Sequence, residues 1–352
     1  MNLKALLKFV VDKKGTDLFI NVGAPPMVKI NGKMKPIGQA PLTPTHVKDI
    51  IATMLTEEQR ADFEENREID LGYTVEDCGR FRLNAYHQKG EPALVARYIV
   101  SHIPSIADLN LPTHLEELAL TKRGLILVVG ATGTGKSTTL ASMINYRNES
   151  ISGHILTVED PIEFLHSHKK SLISQREVGI DTHSYRDALI NAMRESPDAI
   201  LIGEARDQDT MKYALTFAET GHACFTTLHA NNARQALDRV VNLFPQNIHS
   251  QVRADLAEHL IAVISQRLPV GTDGMRIPAV EVLMCTPYIR ELIREGDTEK
   301  LQEAMLKDVD DGSQTFDQAL YGLYIAQKVS KEEALKHADS KDNLNLMIRF
   351  GD

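Results

Sequence analysis

No stretch of this 352-residue sequence approaches the roughly 20 consecutive apolar residues of a membrane-spanning helix; the longest wholly apolar run near its centre is Leu125 to Val129. The apolar part of Met1 to Asp12 is broken by lysines and soon meets Asp17, too short for a secretory signal. Any membrane association is therefore expected to be indirect, and the chain reads as cytosolic. Cysteine is scarce. Cys78, Cys224 and Cys285 are odd in number, far apart and without a CxxC pair, so neither a disulfide framework nor a structural zinc site is readable. Positive charge is in deficit: 39 Lys and Arg face 48 Asp and Glu, a net charge of -9, which disfavours a broad basic surface for nucleic acid or anionic lipid and leaves room only for a local basic groove. Low-complexity segments and internal repeats are missing, and 43% hydrophobic with 25% charged residues places the chain in the globular class. Its length predicts two or three domains.

The first hundred residues read as a mixed α+β unit, residues 1–100. Leu3, Leu6, Leu7 and Val10 recur at helical spacing, and Leu18 to Ile20 and Met27 to Ile30 are strand-like. Asn31-Gly32 predicts a hairpin between Val28 to Ile30 and Lys33 to Ile37. Pro44 to Asn66 reads as helical, with Val47, Ile50, Ile51 and Met54 on one face, followed by strands over Glu68 to Val75, Gly79 to His87 and Pro92 to Val100. Residues 101–120, with Pro104 and Pro112, read as a linker leading into a helix. Residues 121–286 change texture to short apolar strands, Leu125 to Val129, His154 to Val158, Ala199 to Ile202 and Ala223 to Leu228, separated by helices; that alternation predicts a mainly parallel sheet. Residues 287–352 read as helical.

Gly130-Ala131-Thr132-Gly133-Thr134-Gly135-Lys136-Ser137 fits the Walker A loop GxxxxGK[ST], directly after an apolar strand and before a helix-compatible segment. Backbone N–H groups of such a loop converge on phosphate oxygens, Lys136 neutralises the β and γ phosphates, and the Ser137 hydroxyl can ligate Mg²⁺. The expected ATP contacts are Gly130, Thr132, Gly133, Thr134, Gly135, Lys136, Ser137 and Thr138. Hydrolysis further requires carboxylates at the metal and the attacking water. Two acidic clusters follow strands: Glu159-Asp160-Pro161-Ile162-Glu163, and Gly203-Glu204. In a parallel sheet their strands would end beside the phosphate loop, so Glu163 and Glu204 could both reach the γ-phosphate. Solvated loop carboxylates are the plain alternative.

His222 and His229 bracket the strand Ala223 to Leu228. Phosphate sensing, a structural hydrogen-bonding role and zinc ligation are all open to them, although no third metal ligand stands at a familiar spacing. Arg80 and Arg82 alternate on one strand and so share a face, with Arg97 on the next strand; they read either as a solvated face or as interface cations.

Together the phosphate loop, the acidic box ending in Glu163, the Gly203-Glu204-Ala205-Arg206-Asp207 box and the His box resemble the secretion ATPase superfamily that drives type IV pili and type II secretion, and within it the PilT/PilU family of pilus retraction ATPases. The resemblance runs over essentially the whole chain. It implies a PAS-like N-terminal domain followed by an α/β RecA-like P-loop ATPase domain with a helical C-terminal region, assembled as a hexameric ring with ATP between domains. It also implies that Arg80, Arg82 and Arg97 reach the nucleotide of a neighbouring fold unit. The chain begins at the PAS-like unit and lacks the four-cysteine insertion of assembly-direction relatives, which favours retraction. Ala205, where PilT sequences commonly have Met, and Ala230-Asn231-Asn232 after His229 place it nearer the PilU branch. Tyr288 to Glu295 matches the family's retraction motif in altered form; its Ile289, Leu292 and Ile293 are either core or a coupling surface.

The expected activity is thus a Mg²⁺-dependent ATPase motor that powers or assists pilus retraction and twitching. Glu163 is the expected general base or water-positioning group, Glu204 supports Mg²⁺ through water, and His229 senses the γ-phosphate. Expected partners are further copies of the chain, the inner-membrane platform protein of the pilus and a paralogous retraction ATPase, with the motor cytoplasmic and peripheral to the inner membrane. A RecA-like nucleic-acid translocase and a non-hydrolysing ATP-binding scaffold for another motor are the rival readings; the acidic net charge opposes the first, and the intact carboxylates oppose the second.

Overall fold

Hydrophobic spacing at the N-terminus produces a helix, α1 (Leu3–Asp12), whose Asn2 side chain accepts the Lys4 N–H and whose Leu3, Leu6, Leu7 and Val10 are buried. The computed structural model describes residues 2–30, 32–76, 78–99 and 102–350. It divides into two units, Met1–His102 with Ile162–Leu165 and Gly179–Asp181, and the rest of the chain.

In the first unit, β1 (Asp17–Asn21), β2 (Met27–Ile30) and β3 (Lys33–Pro36) precede α2 (Pro44–Ala52) and α3 (Glu57–Asn66), and β4 (Glu68–Val75), β5 (Gly79–Gln88) and β6 (Glu91–Ile99) follow. The antiparallel sheet runs β3-β2-β1-β6-β5-β4. Ile30 pairs with Lys33, as the expected hairpin requires, with Gly32 at φ +75°; Asn31, Val100 and Ser101 lie outside the described residues. The region read as one helical stretch, 44–66, is two helices, because Thr56 starts a new one: it accepts the Gln59 N–H while Gln59 returns a bond to the Thr56 N–H. Leu7, Leu18, Ile20, Val47, Ile50, Phe81, Leu83 and Leu94 join in one core.

The second unit opens with α4 (His114–Ala119) and β7 (Gly124–Val129), then α5 (Lys136–Ser150), β8 (Gly153–Glu159), β9 (Ser171–Glu177), α6 (Tyr185–Ala192), β10 (Ala199–Ile202), α7 (Gln208–Glu219) and β11 (Ala223–Leu228). It continues through α8 (Ala233–Asn242), α9 (His249–His259), β12 (Leu260–Arg267) and β13 (Ala279–Met284) to five helices, α10 (Pro287–Glu295), α11 (Leu301–Lys307), α12 (Phe316–Ile325), α13 (Lys331–His337) and α14 (Lys341–Phe350). Its sheet, β13-β12-β7-β11-β10-β8-β9, is parallel except for β13. Both faces are covered. Leu125, Leu127 and Val129 join the core under α7, α8 and α9, while Ile126 and Val128 join the one under α5, which explains why every residue of β7 is buried.

Three strands escaped the sequence reading. β12 follows α9 with no Gly or Pro to mark the change, β13 is an antiparallel addition, and β9 is an edge strand with polar Ser, Gln and Arg. In the segment 101–120, read as a linker leading into a helix, the helix is α4, and the described residues pack: Ile106, Leu111, Leu115 and Leu118 are buried in the α5-side core. Ser142 donates to Pro104 O, and the buried Arg147 donates from Nη1 to Ala119 O (3.0 Å) and Thr121 O (2.7 Å). The C-terminal helices also belong to this unit, since Ile289, Leu292, Leu301 and Met305 join the core under α7 to α9.

α10 is delimited by Thr286, whose hydroxyl accepts the Ile289 N–H, by Pro287 in its first turn and by Gly296 in the left-handed region at φ +79°. Ile289, Leu292 and Ile293 are at most 3% exposed. Arg290 donates from Nη1 to Ala257 O (2.6 Å) and Glu258 O (2.9 Å), the last carbonyls of α9. The apolar stripe is therefore core. Leu292→Ala is expected to lower unfolding stability by about 2–5 kcal/mol, the usual cost of such a cavity, measured as a shift in urea midpoint at unchanged slope.

Candidate nucleotide site

Register decides which loops meet. β7 pairs with β11 in parallel, Val129 opposite Leu228, and β11 pairs with β10, Thr226 opposite Ile202. Gly130, His229 and Gly203-Glu204 therefore leave three adjacent strands at the same edge, strand spacing being about 4.8 Å.

The loop from β7 reaches α5 through Gly133 and Gly135 in left-handed conformations (φ +78° and +90°). Gly130 must be glycine for a different reason: a Cβ there would lie 2.5 Å from Thr134 Oγ1 and 2.7 Å from Gln266 O. Thr134 Oγ1 donates to Ala131 O (2.9 Å), and Lys136 Nζ donates to Gly130 O (2.9 Å) and Ala131 O (3.0 Å), which holds the ammonium at the loop. Lys136, Ser137 and Thr138 form the first turn of the 15-residue α5, so their backbone N–H groups and the positive end of the helix dipole face the loop. Thr139 Oγ1 donates to Gln266 Oε1 (2.8 Å) in the buried interior, fixing that turn to β12. This cradle fits a nucleotide's phosphates, and the Ser137 hydroxyl fits Mg²⁺.

Glu204 is the centre of the acidic side. Its Oε1 lies 3.0 Å from His229 Nε2, and its Oε2 accepts from Arg206 Nε at 2.9 Å, with the carboxylate side chain only 15% exposed. The bond to Glu204 raises the pKa of Arg206 further. Thr227 Oγ1 donates to Gly203 O (2.7 Å) and Ala205 N–H to Thr227 O (3.0 Å), so the Glu204 turn is stitched to β11. Gly203 leaves no room for a side chain: a Cβ would be 2.9 Å from Tyr185 Oη and 3.2 Å from Glu159 Cα. Tyr185, not anticipated from sequence, closes this side; burial, reinforced by Asp160 and Glu159, pushes its phenol above the ordinary range. Glu159 accepts from Thr157 Oγ1 (2.7 Å) and Gln175 Nε2 (3.3 Å).

The structure does not gather every expected residue here. His222 precedes β11, at the opposite edge of the sheet from His229; its Nδ1 is 3.0 Å from Thr220 Oγ1 and 3.2 Å from Phe217 O, and its ring meets the Phe217 ring edge-on. This environment is that of a structural hydrogen-bonding histidine. Glu163 is exposed and lies in Ile162–Leu165, which groups with the first unit.

In the first unit, β5 buries Phe81, Leu83 and Ala85 and turns Arg80 and Arg82 to the other face, where Arg82 is paired in register with Arg97. Arg82 Nη2 lies 3.2 Å from Asp70 Oδ2, and Arg97 Nε 2.8 Å from the buried Asp17 carboxylate. Arg80 lies across Gly72, and its buried Nε has no hydrogen-bond partner among the described residues.

A further carboxylate lies behind the site. Glu281 on β13, 4% exposed, accepts from Ala233 N–H at the start of α8 (2.7 Å) and from Ser265 Oγ (2.9 Å). Burial pushes its pKa up to about 7, against the pull of those two bonds. Because the folded value exceeds the unfolded one, its contribution favours folding below about pH 4.5 and is lost as pH rises through about 7. Glu281→Gln should remove that loss, making the variant gain on wild type between pH 5 and pH 8 by at most roughly 3 kcal/mol in chemical denaturation.

Residues 105–273 match the family model described as "Type II/IV secretion system protein". The chain is 47% identical over 352 residues to the type IV pilus ATPase PilU of Pseudomonas aeruginosa, covering all of this chain and 92% of that one. It is 41% identical over 343 residues to the type IV pilus retraction ATPase PilT of the same organism, covering 97% and 100%. The crystal structure of the pilus retraction motor PilT with bound ADP superposes with a TM-score of 0.91 at 40% identity, covering 99% and 100%.

Proposed function

The chain belongs to the PilT/PilU family of type IV pilus ATPases, and from that membership we propose that it is a Mg²⁺-dependent ATPase motor that powers or assists pilus retraction and twitching motility. The observation that carries this reading is the Glu204 carboxylate, shared between His229 and Arg206 on the sheet edge that bears the phosphate loop. Further copies of the chain complete a hexameric ring of PAS-like and RecA-like units. The ring works at the inner membrane with the pilus platform protein and a paralogous retraction ATPase; no helix of the described residues is long and apolar enough to cross a membrane.

ATP, when bound, would supply the γ-phosphoryl group, and Mg²⁺ would supply positive charge to offset that of the phosphates. Lys136 exchanges the carbonyls of Gly130 and Ala131 for phosphate oxygens. Ser137 would hold the metal, Glu204 would support it through a water, and His229 Nε2, 3.0 Å from Glu204 Oε1, would turn toward the γ-phosphate. Glu163, exposed and grouped with the first unit, is the group that would orient the attacking water. Arg80, Arg82 and Arg97 stabilise charge on a neighbouring unit's nucleotide, and Arg80 is the foremost of them because it has no ion pair of its own among the described residues.

Lys136→Ala is expected to abolish turnover, while Glu204→Ala and Glu163→Gln keep ATP binding and lose about 100-fold or more in kcat. Turnover near wild type in either carboxylate variant would remove that residue from the catalytic assignment. In mixed rings Arg80→Ala should slow turnover non-additively at unchanged melting temperature; kinetics identical to wild type would return the arginines to a solvated face. Deleting the gene should leave abundant but immobile pili, whereas bald cells would indicate assembly, and turnover stimulated by DNA would indicate a translocase.

A further inference from the structure

Two adjacent side chains at the end of β12 leave the sheet on opposite faces. Gln266 shares its face with Ala262 and Ile264, packs toward α5 and takes the Thr139 hydroxyl hydrogen bond. Arg267 shares the other face with Val263 and Ser265. Its guanidinium makes three hydrogen bonds and a ring contact: Nη2 donates to Asn231 O (3.2 Å) and Asp339 Oδ1 (2.5 Å), Nη1 donates to His337 O (2.5 Å), and Cζ lies 3.8 Å from the centroid of the Phe316 ring.

The partners belong to two groups. Asn231 stands two residues after His229, in the loop between β11 and α8. Phe316, His337 and Asp339 belong to α12, to the end of α13 and to the turn before α14. That turn is itself fixed, because the buried Asp317 carboxylate accepts the N–H groups of Asp339 (2.9 Å) and Ser340 (3.2 Å). The His229 loop is thus held at three successive points: Glu204 at His229, Arg267 at Asn231, and Glu281 at Ala233.

We propose that Arg267 is a positioning residue through which the C-terminal helices α12 to α14 set the alignment of His229 with Glu204, so that a displacement of those helices changes hydrolysis without changing nucleotide binding. The inference rests on the reading of His229 as a γ-phosphate contact. The planar fork of arginine is what the geometry demands, since one ammonium cannot donate to Asn231, His337 and Asp339 while stacking on Phe316.

The test is steady-state turnover on the full chain, with binding of a fluorescent ATP analogue and thermal melting measured in parallel. Arg267→Met should lower kcat about tenfold while KM and analogue affinity stay within about twofold, with Arg267→Lys intermediate. Asp339→Asn, which alters only the C-terminal side, should lower kcat about threefold in the same pattern. Combined with His229→Ala, Arg267→Lys should add less than about twofold, because both changes act on one contact. Asp339→Asn and Arg267→Lys both turning over like wild type beside a slow His229→Ala would overturn the proposal alone. Losses that multiply in the double variant, or that track the melted fraction, would overturn it as well. Wild-type turnover in His229→Ala would overturn the underlying reading of the site together with it.

Discussion

The hydrogen-bond register of β7, β11 and β10 is the constraint on which the site depends. Because Val129 faces Leu228 and Thr226 faces Ile202, three loops far apart in sequence emerge side by side, and a one-residue slip would turn every flanking side chain to the other face. The buried, two-sided apolar strands make such a slip expensive: β7, β10 and β11 are buried along their whole length. What the edge does chemically is then a matter of small local devices, a glycine that admits a close approach and threonine hydroxyls that stitch turns to strands.

Much of this was readable from the residues. The phosphate loop carries its own context, an apolar strand before and a helix after, and the short strands around Ile126, Ile200 and Phe225 announce a parallel sheet; the sequence points to Glu204 near the phosphates, but its pairing with His229 appears only in the structure. The remainder depends on contacts with no local signature. Gln266 meets Thr139 across 127 positions, and Tyr185 owes its place to a vacancy created at Gly203. The His222–His229 pair misleads for a geometric reason: a six-residue strand between them puts the two rings at opposite ends. The arginines of β5 and β6 were legible as a face, because alternation is a property of any strand, but not the fact that Asp17 and Asp70 already pair with two of them.

The segments that looked peripheral are structural members of the ATPase unit. Residues 103–120 fill the core beneath α5, and Arg147 ties their last carbonyls to the same helix that begins with Lys136. The C-terminal helices close over the end of β12. Phosphate loop, entry segment and C-terminal helices therefore share side-chain bonds on the two sides of one sheet.

α10 shows what such embedding does to recognition. With Ile289, Leu292 and Ile293 turned inward, the helix offers solvent Tyr288, Glu291, Arg294 and Glu295. A protein that engages this helix from outside meets alternating charge beside one half-exposed phenol ring. Attraction of that kind is screened over about 8 Å at physiological ionic strength. Association through this face would accordingly be orientation-selective and sensitive to salt.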